Sequence, residues 1–227
     1  MENIVGRATI SRQSTARSRV RLSGLRERMN AMAALQLMPT PPRGAPPERV
    51  PITRELLLEM WNRGLLGTND HIELIEGEIY VMSPMGEPHA RPVQHLNVAL
   101  ARSLPKEFTF RCQLPFAASD ISQPQPDFLV FKNRDLPDDE MPAHAALAIE
   151  IADSTLDFDL NRKSVIYARA RIAEYWVLDV KKRELVVHRT PSGSKYRSVK
   201  RLADLSAVRS SSVPGLVLDL SHIFVKR

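Results

Sequence analysis

The sequence has little cysteine and no long apolar run, and both shortages exclude classes of protein. Cys112 is the single cysteine among 227 residues, so the chain can form no internal disulfide and fits a reducing compartment. We therefore predict a cytoplasmic location. The longest apolar runs, such as residues 145–149, are far shorter than the roughly 20 residues that a membrane-spanning helix needs, so we expect no contact with a membrane.

Most of the chain also has almost no net charge. The whole sequence carries +6, but residues 1–48 contain eight arginines, no lysine and three glutamates, a balance of +5. The rest of the chain therefore carries +1. A nearly neutral folded part gives no electrostatic indication of nucleic-acid binding, so evidence for such a partner has to come from a site.

Residues 1–50 are predicted to be a disordered, basic, Pro-rich tail. ISRQSTARSRVRLSGLRERM is rich in Ser and Arg, and MPTPPRGAPPERVP has too much proline for a helix or an inner strand. Three other interpretations stay open: an over-long start with Met29, Met32 or Met38 as the true initiator, an organellar transit peptide, or a tail that contacts nucleic acid. Residues 51–227 are predicted to form one domain.

From Thr53 onward, the spacing of apolar residues predicts a mixed α/β fold with one central sheet flanked by helices. The predicted helices cover residues 53–61, a segment that begins at Pro92, and residues 159–171. The predicted strands are a hairpin around Glu76 and Gly77, strands at 109–117, 127–131 and 146–152, a hairpin across 181–183, a strand near Tyr196, and a last strand or helix pair in VPGLVLDLSHIF.

Two carboxylates interrupt apolar runs that are typical of buried strands, Asp127 in PQPDFLVF and Glu150 in AIEIADST. Burying an unpaired carboxylate is unfavourable, so a positive charge is expected between them. Mg²⁺ suits this position, because it prefers carboxylate oxygens and completes its shell with waters and phosphate. Lys163, on the following predicted helix, is the candidate for a nearby cation. Asp159, four residues earlier, is placed to pair with it.

These motifs, in this order and spacing, resemble the PD-(D/E)XK nuclease superfamily and, more narrowly, the Uma-two family of bacterial endonucleases. The resemblance covers residues 52–224 and rests on IELIEGEIYVMSP, PQPDFLVF, AIEIADST with DFDLNRKSVIYARARIAEYWVLDV, and VPGLVLDL. It implies the restriction-endonuclease-like fold and a Mg²⁺- or Mn²⁺-dependent hydrolysis of phosphodiester bonds in DNA. In this resemblance Asp127 and Glu150 hold the metal, and Lys163 positions the attacking water and stabilises the transition state.

The chain departs from the superfamily pattern at three places. Position 152, two residues after the second acid, carries alanine instead of lysine, and the resemblance places the lysine on the following helix, which matches Lys163. Asp153 and Ser154 stand where a Ser-Pro pair is usual, and Arg171 replaces a usual glycine. None of these departures removes a proposed ligand.

Glu73 and His89 complete the resemblance, Glu73 as a ligand of a metal-bound water and His89 as a phosphate contact. The structural alternatives are a solvated strand residue for Glu73 and a helix cap for His89. For the whole chain, the alternative is a catalytically inactive member of the fold that binds nucleic acid or a protein partner and pairs its acids with Lys163. An RNase is the nearer alternative. Many enzymes of this fold act as dimers, which makes a homodimer an option by analogy.

Overall fold

The structure is a computed structural model that describes residues 49–67, 71–83, 86–135 and 141–224. Apart from residues 49 and 50, the predicted tail lies outside these ranges. Within them, no helix combines the length and the apolar character that crossing a membrane requires.

The chain divides into two compact units. The first comprises Met1–Val50 with Leu56–Asp70, and its described part contains most of helix α1 (Arg54–Asn62), as the sequence predicted. The second comprises Pro51–Glu55 with His71–Arg227 and contains the remaining described elements.

The second unit begins with a β-hairpin and a long helix and continues as a sheet. Its elements are β1 (Ile72–Ile75), β2 (Glu78–Val81), α2 (Glu87–Ser103), β3 (Phe108–Cys112), β4 (Phe128–Lys132), a 3₁₀ turn (Asn133–Asp135), β5 (Leu147–Ala152), α3 (Leu156–Phe158), a π-helical segment (Asp159–Lys163), α4 (Ser164–Arg169), β6 (Glu174–Asp179), β7 (Glu184–Ser192), β8 (Lys195–Leu202), β9 (Val208–Arg209) and β10 (Val217–Leu218).

Within the described residues, six strands form a mixed sheet in the order β3–β4–β5–β6–β7–β8. β5 and β6 run parallel, and the other neighbouring pairs run antiparallel. The crossover between the parallel pair contains α3, the π-helical segment and α4, because parallel strands cannot be joined by a tight turn. β1 pairs with β2, and β9 pairs with β10. The predicted α/β fold with a central mixed sheet is confirmed.

Side chains of β5 alternate between two buried clusters, because successive residues of a strand point to opposite faces. One cluster contains Ile149 together with residues of α2. The other contains Ala148 and Ala152 together with Tyr167 of α4. Glu150 lies between these two alanines along the strand and therefore points toward the helical crossover. This placement decides where the candidate site forms.

Three predicted boundaries are wrong. α2 begins at Glu87 rather than at Pro92, because a proline already occupies its first turn, where N–H groups lack intrahelical partners, and Glu87 puts an acid at the positive end of the helix. β3 ends at Cys112 rather than at 117, because Gln113 adopts a left-handed backbone with φ 51°. The helical region predicted at 159–171 spans 156–169 and includes a π-helical turn.

Glu174, at the start of β6, fastens the serine-rich segment before β10 to the sheet. Its side chain is fully buried. Oε2 accepts hydrogen bonds from Ser210 Oγ at 2.7 Å and from the backbone N–H groups of Ser211 and Ser212 at 2.8 and 3.1 Å, while Oε1 accepts from Arg189 Nε at 2.8 Å. Burial alone raises the pKa of Glu174, but these donors outweigh it and lower the pKa below its ordinary value.

We expect Glu174→Gln to lower the free energy of unfolding by about 1.5–3 kcal/mol, because it removes charge-assisted hydrogen bonds and sets an amide NH₂ group against other donors. Urea unfolding measures the change. The matched control is Glu184→Gln, whose ion pair with Arg201 lies on the surface and should contribute less than about 1 kcal/mol. Equal losses in the two variants would contradict the role assigned to Glu174.

Candidate active site

Asp127 and Glu150 approach each other because β4 and β5 are antiparallel neighbours. Phe128 pairs with Ile149, so the next pair along the ladder is Asp127 and Glu150. The backbone nitrogen of Asp127 lies 3.4 Å from Glu150 Oε2. Asp127 is 6% exposed and Glu150 is 3% exposed. The structure therefore brings the two predicted acids together in a buried position.

Asp127 is oriented by hydrogen bonds to both of its carboxylate oxygens. Oδ1 lies 2.9 Å from His89 Nε2 and accepts a hydrogen bond from Gln113 Nε2 at 3.1 Å. Oδ2 accepts the backbone N–H of Ile151 at 2.8 Å. His89 therefore belongs to the site through Asp127, and its interpretation as a helix cap is wrong. Its predicted contact with phosphate stays a prediction.

Lys163, the last residue of the π-helical segment, points into a cluster of carboxylates. Its Nζ donates hydrogen bonds to Glu73 Oε1 and Glu150 Oε1, each at 3.0 Å, and lies 3.8 Å from Asp159 Oδ1. Lys163 is 2% exposed and Glu73 is 3% exposed, so the interpretation of Glu73 as a solvated strand residue is wrong. Asp159 pairs with Lys163 as predicted, but at a longer distance than the other two acids.

The π-helical segment places both of its ends in the site. Asp159 begins the segment and Lys163 ends it, and both side chains are buried, whereas Arg162 beside them is exposed. π-helical turns are rare in proteins, and those that do occur are frequently found at functional sites. The segment thus positions an acid and a lysine against the same strand.

The packing around Ala152 disfavours a lysine at the superfamily's usual position. Its side chain is fully buried and packs in one cluster with Tyr167 and Ala168 of α4. A lysine at 152 would have to displace these helix residues, which is costly in a packed core. The ammonium of Lys163 reaches Glu150 from the helix instead.

Three side chains that the sequence did not assign to the site also contact it: Gln113, Thr155 and Tyr167. The Tyr167 hydroxyl donates to Glu150 Oε1 at 2.6 Å, and the Thr155 hydroxyl donates to Asp159 Oδ2 at 2.6 Å. Thr155, Asp159, Lys163 and Tyr167 recur at every fourth position, so this helical row was a usable signal. Nothing in the local sequence around Gln113 indicates its contact.

The buried acids carry more negative charge than the nearby cations offset. Burial raises the pKa of Glu150 well above its ordinary value, and neighbouring carboxylates add to this although Lys163 opposes it. Burial likewise raises the pKa of Asp159 to about 6 against the effect of Lys163. Burial alone lowers the pKa of Lys163, but Glu150, Glu73 and Asp159 outweigh it and raise the pKa above its ordinary value. The ammonium therefore stays protonated.

This cluster lines a cavity of about 760 Å³. Among the described lining residues, the acids are Glu73, Asp127, Glu150, Asp153 and Asp159, and the basic residues are Lys163, His71 and His89. Within the same described part of the chain, Glu73 Oε2 is buried and has no hydrogen-bond partner. A buried, unpaired carboxylate oxygen and an excess of acids fit a divalent cation.

A cation here would have few protein ligands. Over the described ranges, no group of three or more His, Cys, Asp or Glu side chains has the arrangement of a metal site. Mg²⁺ is commonly held by one or two carboxylates and keeps several waters, so a two-carboxylate site is compatible with its chemistry. The residues present therefore fit Mg²⁺ better than a metal that needs a full set of protein ligands.

A solved structure resembles this fold. The crystal structure of a "putative nuclease belonging to DUF820" from Anabaena variabilis superimposes with a TM-score of 0.59. The two sequences are 19% identical, and the match covers 77% of this chain and 98% of that chain. At this identity the likeness shows the fold alone, and it confirms the predicted restriction-endonuclease-like class.

The sequence comparisons identify the family. No curated protein matches the chain. A family model described as "Putative restriction endonuclease" matches residues 56–221, which is most of the chain. The matched range contains all six of the site residues that the sequence predicted, Glu73, His89, Asp127, Glu150, Asp159 and Lys163. The chain therefore belongs to the Uma2 (Uma-two) family of nuclease-like proteins.

Proposed function

We propose that the chain is a metal-dependent endonuclease that hydrolyses phosphodiester bonds in DNA, with Mg²⁺ or Mn²⁺ as its cofactor. The family and the fold support a nuclease. The observation that carries the proposal is the cavity itself, where the buried carboxylates of Glu73, Glu150 and Asp159 surround the Lys163 ammonium and Asp127 lies beside Glu150. Among the described residues, Glu73 Oε2 is left unpaired. A site with this surplus of negative charge favours a divalent cation over an additional anion.

Asp127 and Glu150 are the proposed metal ligands, and their neighbours hold them in place. His89, Gln113 and the Ile151 N–H orient Asp127, while Tyr167 and Lys163 orient Glu150. When bound, a divalent cation would polarise the phosphate and lower the pKa of an attacking water. The protein supplies buried, oriented carboxylates that line a cavity, and this orientation is what such chemistry requires.

Lys163 acts as a fixed positive charge. Since its pKa is raised, it remains an ammonium at neutral pH and cannot serve as a general base. Two of its three N–H donors bond to Glu73 and Glu150, and the third can orient a water, while the positive charge stabilises negative charge that develops on the phosphate. Glu73 and Asp159 hold this ammonium from two further sides, so their proposed role is to position Lys163.

The alternative function, a catalytically inactive binding module, is favoured by one observation. Lys163 already pairs with Glu73 and Glu150, as an internally satisfied ion-pair network requires. Such a network has no need of a metal. A response of the folded protein to Mg²⁺ therefore separates the two functions.

Three further features belong to the proposal. DNA is favoured over RNA by the family's description as restriction endonucleases. A homodimer is included by analogy with other enzymes of this fold. A cytoplasmic location agrees with the single cysteine, which needs no oxidising compartment.

The first prediction concerns metal binding. Millimolar Mg²⁺ or Mn²⁺ should raise the melting temperature of the wild-type protein, because a ligand that binds the folded state stabilises it. Asp127→Asn should abolish this rise. It should also lower metal-free stability, because an asparagine NH₂ group would face donors that now bond to carboxylate oxygens. Asp157→Asn, an exposed change on the same crossover, is the control and should keep the full response. An intact response in Asp127→Asn would rule out this ligand.

The second prediction concerns catalysis. Plasmid, linear DNA, single-stranded DNA and RNA are each incubated with the protein, once in Mg²⁺ or Mn²⁺ and once in chelator. We expect that DNA is cleaved in the presence of metal and is left intact in chelator. Lys163→Met should slow cleavage by about 10²–10³-fold, the usual effect of losing one positioned electrostatic group. It should also enlarge the metal-induced rise in melting temperature, because the acids lose their internal cation.

Arg162→Met is the matched control for this experiment. It removes the neighbouring cation, which pairs with Glu76 on the surface, and should leave the cleavage rate unchanged. Wild-type cleavage by Lys163→Met would restrict the lysine to a structural role. Absence of cleavage for every substrate, together with an unchanged melting temperature in metal, would favour the inactive binding module.

The third prediction concerns pH. Because the pKa values of Glu150 and Asp159 are raised, the folded protein holds their protons more tightly than the unfolded chain. Metal-free stability should therefore fall as pH rises through about 6. Metal needs ionised carboxylates, so Mg²⁺ affinity should increase over the same range. Calorimetric titration measures this affinity, and Asp159→Asn should show a weaker pH dependence. A Mg²⁺ affinity that does not change with pH over this range would contradict the raised pKa values of Glu150 and Asp159.

A further inference from the structure

Two aromatic side chains lie at the cavity, and the proposed hydrolysis does not use them. Tyr80 and Phe158 both line the cavity, with ring centroids 5.1 Å apart and an interplanar angle of 52°. Both residues are partly exposed, so their rings are accessible from the cavity side. The candidate active site thus combines acidic groups with a pair of aromatic surfaces.

The packing of the β1–β2 hairpin against the helical crossover brings together both the acids and this aromatic pair. Tyr80 is the register partner of Glu73 in the β1–β2 hairpin, so the two side chains emerge on the same face about 5 Å apart. Phe158 directly precedes Asp159 in the chain. The hairpin and the crossover therefore each contribute one ring beside one carboxylate. The Tyr80 hydroxyl donates to Glu78 Oε2 at 2.9 Å.

The charge of the cavity limits how a nucleic acid can bind there. Its described lining has five acids against Lys163 and two histidines, so phosphates gain little attraction from the protein alone. Aromatic rings bind nucleobases by stacking, which needs no positive charge and tolerates any base. The aromatic pair therefore offers a source of affinity that the acidic groups do not oppose.

The position of the two rings limits the form of the substrate. Tyr80 and Phe158 line the same cavity as Asp127, Glu150 and Lys163, each of which is more than nine-tenths buried. The bases of a continuous duplex are stacked and paired, so a base can stack on these rings only at the cost of unstacking and unpairing. A single strand has no pairing to lose. The geometry thus favours a strand that has already left the duplex.

We propose that Tyr80 and Phe158 form a base-stacking site for the nucleotide next to the scissile phosphate, and that the substrate is a single-stranded segment of DNA, such as a loop, a frayed region or an end. This inference rests on the proposed function and adds to it the form of the substrate. Tyr80 and Phe158 select the substrate, while the acids and Lys163 serve the reaction.

The test measures binding separately from cleavage. A short DNA strand that contains 2-aminopurine is titrated with the protein in EDTA, alone and annealed to its complement, and fluorescence quenching reports stacking on a ring. We expect quenching and tighter binding for the single strand. Tyr80→Leu and Phe158→Leu should each weaken binding by about 5- to 150-fold, the range for loss of one base–aromatic stack.

Two controls separate the rings from other effects. Tyr80→Phe keeps the ring and loses the hydroxyl, so it should bind as the wild-type protein does. The dependence of affinity on salt should be the same in the leucine variants and the wild type, because no phosphate contact is lost. Thermal unfolding checks that each variant is folded. If the leucine variants do not fold, quenching in the wild-type protein decides, and its absence overturns the inference.

The outcomes distinguish this inference from the proposed hydrolysis. Wild-type affinity in both leucine variants, or equal binding of duplex and single strand, overturns the base-stacking site even if DNA is cleaved in Mg²⁺. Quenching that is lost in the leucine variants supports the site even if no DNA is cleaved, in which case hydrolysis is the part that fails.

Discussion

The candidate site depends on one interaction, the buried ammonium of Lys163 among the carboxylates of Glu73, Glu150 and Asp159. These acids come from the β1–β2 hairpin, from strand β5 and from the π-helical segment, so one cation joins three elements. Removing it would leave buried charges uncompensated, which typically costs about 3–5 kcal/mol. The same buried ammonium therefore determines both how the helical crossover packs over the sheet and the electrostatics of the site.

The same cluster explains why the site suits a metal. A buried ion pair offsets its desolvation only when its geometry is good, and here a single ammonium serves several acids within the described residues. Burial, with a smaller effect from the neighbouring acids, raises the pKa of Glu150 and Asp159, so protons compete with any cation for these groups. A chain selected for stability alone would gain by replacing some of these acids with apolar residues. Their presence costs stability and provides the negative charge that the proposed divalent cation would bind.

The sequence predicted the parts of the site that have a local signal. Asp127 and Glu150 stand out because each interrupts an apolar run, and Lys163 was placed by its position on the following helix. The contact of Lys163 with Glu73 spans 90 residues, and that of Gln113 with Asp127 depends on a left-handed residue at the end of β3, so no local pattern reveals either. The start of α2 was misplaced because Pro92 resembles a first-turn proline, whereas an earlier proline occupies that turn.

Placing the lysine on the crossover makes the site depend on how the hairpin docks. Glu76, at the hairpin turn, pairs with Arg162 and Arg169 on either side of Lys163. These exposed pairs contribute little free energy, about 0–1 kcal/mol each, so the buried pair of Lys163 with Glu73 is the stronger link between the crossover and the hairpin. A lysine two residues after Glu150 on the same strand would be positioned by that strand alone. Here the cation, its partner Glu73 and the ring of Tyr80 are brought together by one docking contact, so a local opening of the hairpin would remove the carboxylate and the aromatic surface together.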